Sequence, residues 1–306
     1  MIVAPFYAVA RLFGASDPAT SAQAMPGDRA PELVTLLVGP SCGVGAVVAT
    51  ALLSRASGSG SMASIVAASA VATGSLIWPY ASTLMNLSIT GTALALAVFT
   101  ILRARQHGGF KSFAQIGFLL GVASSTRYEF IILGLPVWVL CVWTAWEQAR
   151  HKGGAFFAKS LRAVAFQQAV AISAWLVMCG PLVFVWNFMR TGSVIDFGYG
   201  GEGFLSSVLD KPWYGWFGLF MSPGCGLFVH APLLAVALVS IAVVWEEDKY
   251  VAAVIAGLAV IGCAYYGSVS STWCAQPAWG PRYMTSLMPI LMVPVGSLWA
   301  RLSAKG

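Results

Sequence analysis

The sequence predicts an all-α fold, a polytopic integral membrane protein with about nine transmembrane helices, and three observations carry that prediction. Of its 306 residues 58% are apolar and only 9% charged, a balance that in water would leave large apolar surface exposed. Apolar runs close to the roughly 20 residues that a helix needs to cross a hydrocarbon core of about 30 Å recur along nearly the whole chain. The basic residues between those runs also sort by side, as expected for cytoplasmic loops that retain lysine and arginine.

Taken in order, Met1 to Gly14 is apolar but too short to span and carries Arg11, so it reads as an interfacial helix within an outer-face segment, residues 1–32. The runs follow at Leu33 to Leu53, Ser61 to Trp78, Thr83 to Leu102, Phe113 to Ser125 (short for a span) and Phe130 to Trp146. They continue at Leu161 to Phe188, Gly224 to Trp245, Tyr250 to Val269 and Met284 to Trp299, the last interrupted by Pro289 and Pro294. Basic connections such as Arg103 to Lys111 and Arg150 to Arg162 read as contacts with anionic lipid and as topology signals. With the segment before Leu33 outside, one side collects eleven basic residues and four acids, and the other six basic residues and seven acids. The N-terminus is therefore expected outside and the C-terminus in the cytoplasm.

The whole chain, 1–306, reads as one transmembrane domain, with neither repeats nor a soluble module. Its net charge of +6 belongs to membrane topology rather than to nucleic acid. No His, Cys and carboxylate cluster has metal-ligand spacing, no cofactor is identified, and a divalent-metal requirement stays open. Cys225 and Cys274 both fall near the outer face and read as free thiols in packing positions rather than as a pair. Glu246-Glu247-Asp248 reads as a solvated cytoplasmic turn, and the sequon Asn86-Leu87-Ser88 lies in an apolar helix out of reach of glycosylation.

Chemistry is expected in the outer loops, 189–223 and 270–283. Trp279-Gly280-Pro281-Arg282-Tyr283 sets an arginine at the mouth of a hydrophobic helix, where a cation snorkels or binds an anion. Arg127, in Thr126-Arg127-Tyr128-Glu129, would complete a cationic pocket with Arg282 suited to a lipid-borne phosphate, whereas Glu129 reads as the partner of Arg127. In the loop from Trp186 to Gly200, Gly192 and Gly198 to Gly201 allow tight turns; Asp196 can accept sugar hydroxyls or act as a base, and Tyr199 can stack on a sugar face. Pairing of Arg190 with Asp196 in an ordinary loop is the alternative. Ser222-Pro223-Gly224-Cys225-Gly226, after an aromatic stretch from Trp213, suggests irregular backbone lining a cavity, or an interfacial belt.

Three stretches in this order carry a resemblance: Trp-Asn…Arg-Thr-Gly-Ser…Asp-Phe-Gly-Tyr at 186–199, Gly-Leu-Phe-Met-Ser-Pro-Gly-Cys-Gly-Leu-Phe-Val at 218–229, and Trp-Gly-Pro-Arg-Tyr at 279–283. Together they resemble the bacterial GT-C membrane glycosyltransferases related to protein O-mannosyltransferases, from Pro5 onward. The resemblance implies transfer of a sugar from a polyprenyl phosphate to an acceptor glycan, lipid or protein on the extracytoplasmic face of a bacterial plasma membrane. It implies Arg282, Tyr283 and Arg127 at the donor phosphate, and Arg190, Asp196, Tyr199 and Trp279 on the sugar or acceptor side. The pattern also departs from the family. Relatives carry an N-terminal helix and an acidic motif in the first outer loop, and here the sequence begins beyond the expected place of that motif. Asp17, Asp28 and Glu32 lie near that region without the motif, Asn86 stands at a helix start where relatives often have an acid, and Asp196 is the remaining weak candidate for the catalytic carboxylate. A transporter or flippase for a lipid-linked saccharide and a non-catalytic membrane partner are the rival readings.

Overall fold

The structure is a computed structural model that describes residues 30–81, 86–153, 157–194, 212–268 and 280–305. Among these residues it is built from helices and turns, without strands. In chain order the helices are α1 (Ala30–Ala56), α2 (Ser61–Gly74), α3 (Ile77–Ala81), α4 (Leu87–His107), α5 (Phe110–Thr126) and α6 (Phe130–Leu133). Next come α7 (Leu135–Gly153), α8 (Phe157–Cys179), a π turn (Gly180–Val185), α9 (Trp186–Thr191), α10 (Pro212–Met221), α11 (Leu227–His230) and α12 (Leu233–Val239). The chain continues with α13 (Ile241–Glu247), α14 (Lys249–Ser268), a 3-10 turn (Arg282–Leu287), α15 (Met288–Leu291) and α16 (Val293–Ser303).

Six segments are long and apolar enough to cross a membrane: Val38–Ala56, Leu87–Gln106, Phe130–His151, Lys159–Met189, Lys249–Ser268 and Arg282–Ser303. Their outer surfaces fit lipid. On α1 the exposed side chains Val44, Val48 and Leu52 recur every four residues, and on the long segment Leu161, Phe166, Ile172, Leu176 and Val177 are exposed. An apolar face of this extent has no place in water. The chain is an all-α integral membrane protein.

The other three expected spans are shorter or broken, each for a local reason. The run from Ser61 stops as a helix at Gly74, where Ser75 turns the chain: its Oγ donates to the Val71 carbonyl (2.6 Å) and accepts from the Ile77 amide (3.1 Å). α5 has 17 residues, about 26 Å at a rise of 1.5 Å per residue, a little short of a ~30 Å core. The run from Gly224 divides at Pro232, which has no amide to donate, and again at Ser240, so that α11, α12 and α13 succeed one another.

Leu87–Gln106 and Arg282–Ser303 are the most enclosed spans and form the centre, with Leu94, Val98, Ile101, Ile290, Leu291 and Val293 in the core. At the proline-broken part of the last span, the Thr50 hydroxyl is shared between the carbonyls of Ala46 and Pro289, both 2.9 Å away. α5 crosses α8 at very close range: a Cβ on Gly117 would lie 1.9 Å from the Ala171 carbonyl oxygen. Gly117 and Gly121, four apart, thus supply the small-residue seam by which helices associate in lipid, where apolar burial gives little drive.

Candidate functional site

The ends of α5 and α14 and the 3-10 turn at the head of the last span meet around Tyr283. Gly280 opens the approach with φ +67, a left-handed conformation that favours glycine, and a Cβ there would lie 2.8 Å from Cγ of His230. Pro281 follows, and the Arg282 amide donates to the Gly280 carbonyl at 2.9 Å, so Arg282 is the first residue of the 3-10 turn that begins the last span. The expected arginine at a helix mouth is therefore where the sequence places it.

Around the Tyr283 ring stand three partners. The Tyr266 ring, from the end of α14, stacks on it with centroids 5.5 Å apart and planes 15° from parallel. The guanidinium carbons of Arg127 and Arg282 lie 4.7 Å and 5.1 Å from its centroid, within cation–π range. Arg282 Nη2 also donates to the Tyr283 hydroxyl at 3.3 Å. Tyr265 meets Tyr266 edge to face at 5.2 Å.

The two arginines differ in what balances them. Arg127 is buried and forms an ion pair with the equally buried Glu129, whose carboxylate also accepts from the Tyr266 hydroxyl at 3.5 Å. Burial works against the charge of Arg127, but Tyr266 and the Glu129 carboxylate outweigh it and hold the pKa above the usual arginine value. The pair is neutral as a unit. Arg282 is half-buried, and among the described residues no carboxylate lies within ion-pair distance of it. The expected pairing of Arg127 with Glu129, two residues away, is present, so of the two arginines expected to form the pocket it is Arg282 that has no carboxylate partner among the described residues.

Asn86 stands just before α4, and its side-chain amide donates to the carbonyl of Thr126 at the end of α5; Thr90 and Thr126 join their hydroxyls at 2.7 Å, and Ser286 Oγ donates to the Leu87 carbonyl at 3.1 Å. These bonds fix the heads of α4 and of the last span beside Arg127. At the other candidate loop, Gly192 caps α9 with φ 75 and donates its amide to the Phe188 carbonyl at 2.8 Å, the tight turn that the sequence predicts. Arg190 falls on α9. Asp196, Tyr199 and Trp279 lie outside the described residues, as do Asp17 and Asp28.

Two expectations are corrected. Cys225 is disulfide-bonded rather than free, whereas Cys42, Cys141, Cys179 and Cys263 are free thiols; Cys274 lies outside the described residues. The acidic triplet, expected as a turn, instead ends α13 with Glu246 and Glu247 and leaves Asp248 as the link to α14, and its carboxylates are engaged. Asp248 pairs with Arg105 at 2.6 Å and accepts from the amides of Tyr250 and Val251, capping α14, while Glu246 pairs with Arg301 at 2.9 Å and Glu247 accepts from Ser297 Oγ at 2.8 Å. Ser222 to Gly226, expected to be irregular, is a turn closed by the Gly226 amide on the Ser222 carbonyl at 2.7 Å. The aromatic stretch before it is the helix α10, packed on α14.

No sequence motif singles out His230, which packs beside Gly280. It ends α11, and its Nδ1 lies 3.0 Å from the Gly226 carbonyl oxygen while its ring faces Gly280. The available signal was position: His107 and His151 end helices at the opposite pole, and His230 is the histidine that shares an end with Arg282.

Compared with known proteins, the chain stands apart. No family model, curated protein or solved structure matches it.

Proposed function

We propose that the chain is a GT-C-type membrane glycosyltransferase that takes a sugar from a polyprenyl phosphate and passes it to an acceptor at the extracytoplasmic face of a bacterial plasma membrane. One observation carries the reading: Arg282 heads a membrane-length segment with aromatic and phenol contacts but no carboxylate among the described residues. A cation at that depth with no counter-charge among the described residues suits an anion carried by a lipid. In the reaction an acceptor oxygen attacks the anomeric carbon, the bond from that carbon to the phosphate oxygen breaks, and Arg282 stabilises the charge left on the phosphate. Tyr283 aims Arg282, and Arg127 braces Tyr283. Arg190, Asp196, Tyr199 and Trp279 belong to the sugar and acceptor side.

Counting Ser61–Ala81, Phe110–Thr126 and Leu227–Glu247 with the six long segments gives nine crossings, with the N-terminus outside and the C-terminus inside. Cys225 supports that orientation, since disulfides persist in oxidising compartments and Cys225 lies on the Arg282 side. A flippase reading is less favoured because the described charged side chains sit at helix ends rather than near the midplane.

The test is transfer of radiolabelled mannose from polyprenyl-phosphate mannose in membranes holding the full chain or its Arg282→Ala variant. Loss of about 10²-fold or more is expected, the scale for removing one preorganised donor. Undiminished transfer would sink the role of Arg282.

A further inference from the structure

Resting on the anion site of that reading but not on sugar transfer, we infer that an ordinary anionic phospholipid of the surrounding leaflet, with one net negative charge at its phosphodiester, occupies Arg282 and competes there with the donor. Depth is the first reason. α10 lays Trp213, Trp216 and Phe217 on the surface of this pole, and such aromatics gather at the level of lipid headgroups. Trp216 ties that belt to the site: its Nε1 donates to the Ala264 carbonyl at 3.4 Å, and its ring lies against Gly267, the residue after Tyr266, which stacks on Tyr283. Arg282 therefore stands where the phosphates of the leaflet lie. Lipid-facing side chains also come close on two sides. Val229 is exposed next to His230, whose ring rests on Gly280, and Ile131 and Ile132 are exposed just beyond the Arg127–Glu129 pair.

Charge then selects the lipid. Arg127 and Glu129 sum to zero, and among the described residues Arg282 meets the ring and hydroxyl of Tyr283 but no carboxylate, so the site carries one uncompensated positive charge. A phosphodiester with a neutral substituent such as glycerol balances it. A zwitterionic headgroup brings its own cation beside Arg282 and Arg127, and like charges there discriminate against it. Hydrogen bonding agrees with this count. A guanidinium has five N–H donors in one fork, and the bond from Nη2 to Tyr283 leaves others for phosphate oxygens. Because the Tyr283 hydroxyl accepts from Arg282, its own hydrogen is left to donate to the same anion. The phosphate of a polyprenyl-phosphate sugar is likewise a singly charged diester, so the leaflet and the donor present Arg282 with the same group.

The experiment places the full chain in nanodiscs of phosphatidylcholine with about one-third phosphatidylglycerol, moves it to detergent, and counts the phosphatidylglycerol retained per chain by native mass spectrometry. Arg282→Gln is expected to retain one lipid fewer than wild type. Arg282→Lys, which keeps the charge, should retain it, and so should Arg301→Gln, which removes a cation from the opposite pole. Added inorganic phosphate should displace none. In the mixed discs KM for polyprenyl-phosphate mannose should rise about threefold or more over phosphatidylcholine alone, with kcat unchanged. Equal retention by wild type and Arg282→Gln overturns the inference. So does an equal loss in Arg301→Gln, the mark of general surface attraction, or a loss in Arg282→Lys, the mark of packing rather than charge. Displacement by inorganic phosphate overturns it in favour of a free anion, and a KM indifferent to phosphatidylglycerol overturns the competition. Absence of mannose transfer by the wild type, with the Arg282-dependent lipid still counted, sinks the transferase reading alone and leaves the phospholipid in its site.

Discussion

The two polar poles of the bundle are built on opposite plans. At the Asp248 pole, acids and bases from distant helices satisfy one another: Arg105 lies between Glu147 (3.4 Å) and Asp248 (2.6 Å) and covers the Tyr250 ring at 4.9 Å, and Arg301 meets Glu246. At the Arg282 pole, one buried pair neutralises itself and Arg282 rests on Tyr283. α4 joins the two poles, which stand about 30 Å apart at 1.5 Å per residue. The difference separates two uses of charge. Closed networks fasten helix ends to one another; a cation left with aromatic contacts is available to something else.

Substitutions sharpen or break this contrast. The largest effect on folding is expected for Glu129→Gln, which leaves Arg127 buried without its counter-charge; about 3–5 kcal/mol is the scale for such a loss, read as a large fall in Tm of detergent-purified protein. An unchanged Tm would mean that Arg127 finds water or another partner. Arg282→Ala should do the reverse, costing transfer by about 10²–10³-fold, or ~2.7–4 kcal/mol of barrier, with Tm little changed. A large fall in Tm there would place Arg282 among the fasteners. At the other pole, Asp248→Ala removes an ion pair and the cap of α14 and should cost about 1–2 kcal/mol, with transfer retained. The smallest effect belongs to Arg301→Ala: its pair with Glu246 is well exposed, so less than about 1 kcal/mol is expected, vanishing in high salt.

The legible and illegible parts of the chain divide along the same line. The position of Arg282 at a helix mouth was legible because Gly-Pro-Arg between apolar runs is a local anomaly, and the turn at Gly192 because a turn residue follows a helix. The pairing of Arg127 with Glu129 was readable at two residues' distance. The engagement of Asp248 by Arg105 was not, since the partners are 143 positions apart and a triplet of acids resembles any solvated turn. Contacts of Tyr283 with Tyr266 and Arg127 depend on how α5, α14 and the last span converge, which hydropathy does not encode. The length of apolar runs likewise missed the breaks at Ser75 and Pro232, where one residue's hydrogen-bonding chemistry outweighs the surrounding hydrophobicity. The packing of His230 beside Gly280 was not legible because a single histidine at the end of an apolar run carries no pattern.

The segment Lys159–Met189 has a further consequence. Its 31 residues measure about 46 Å along the axis, some 16 Å more than a ~30 Å hydrocarbon core, and little of it is enclosed by the protein. Lipid is its main neighbour, while the seam at Gly117 and Gly121 holds it to α5 on one side. The surplus is taken up by leaning, by bending at the π turn beside Pro181, or by lifting α9 clear of the acyl chains. The segment carrying Arg282 has 22 residues and is largely enclosed, so its height is set by its neighbours in the protein. Bilayer thickness therefore bears more on the end of this segment than on Arg282: lipids with longer tails would draw Gly192 and Arg282 to a different relative height, making acyl-chain length a control on the spacing of these two residues along the membrane normal.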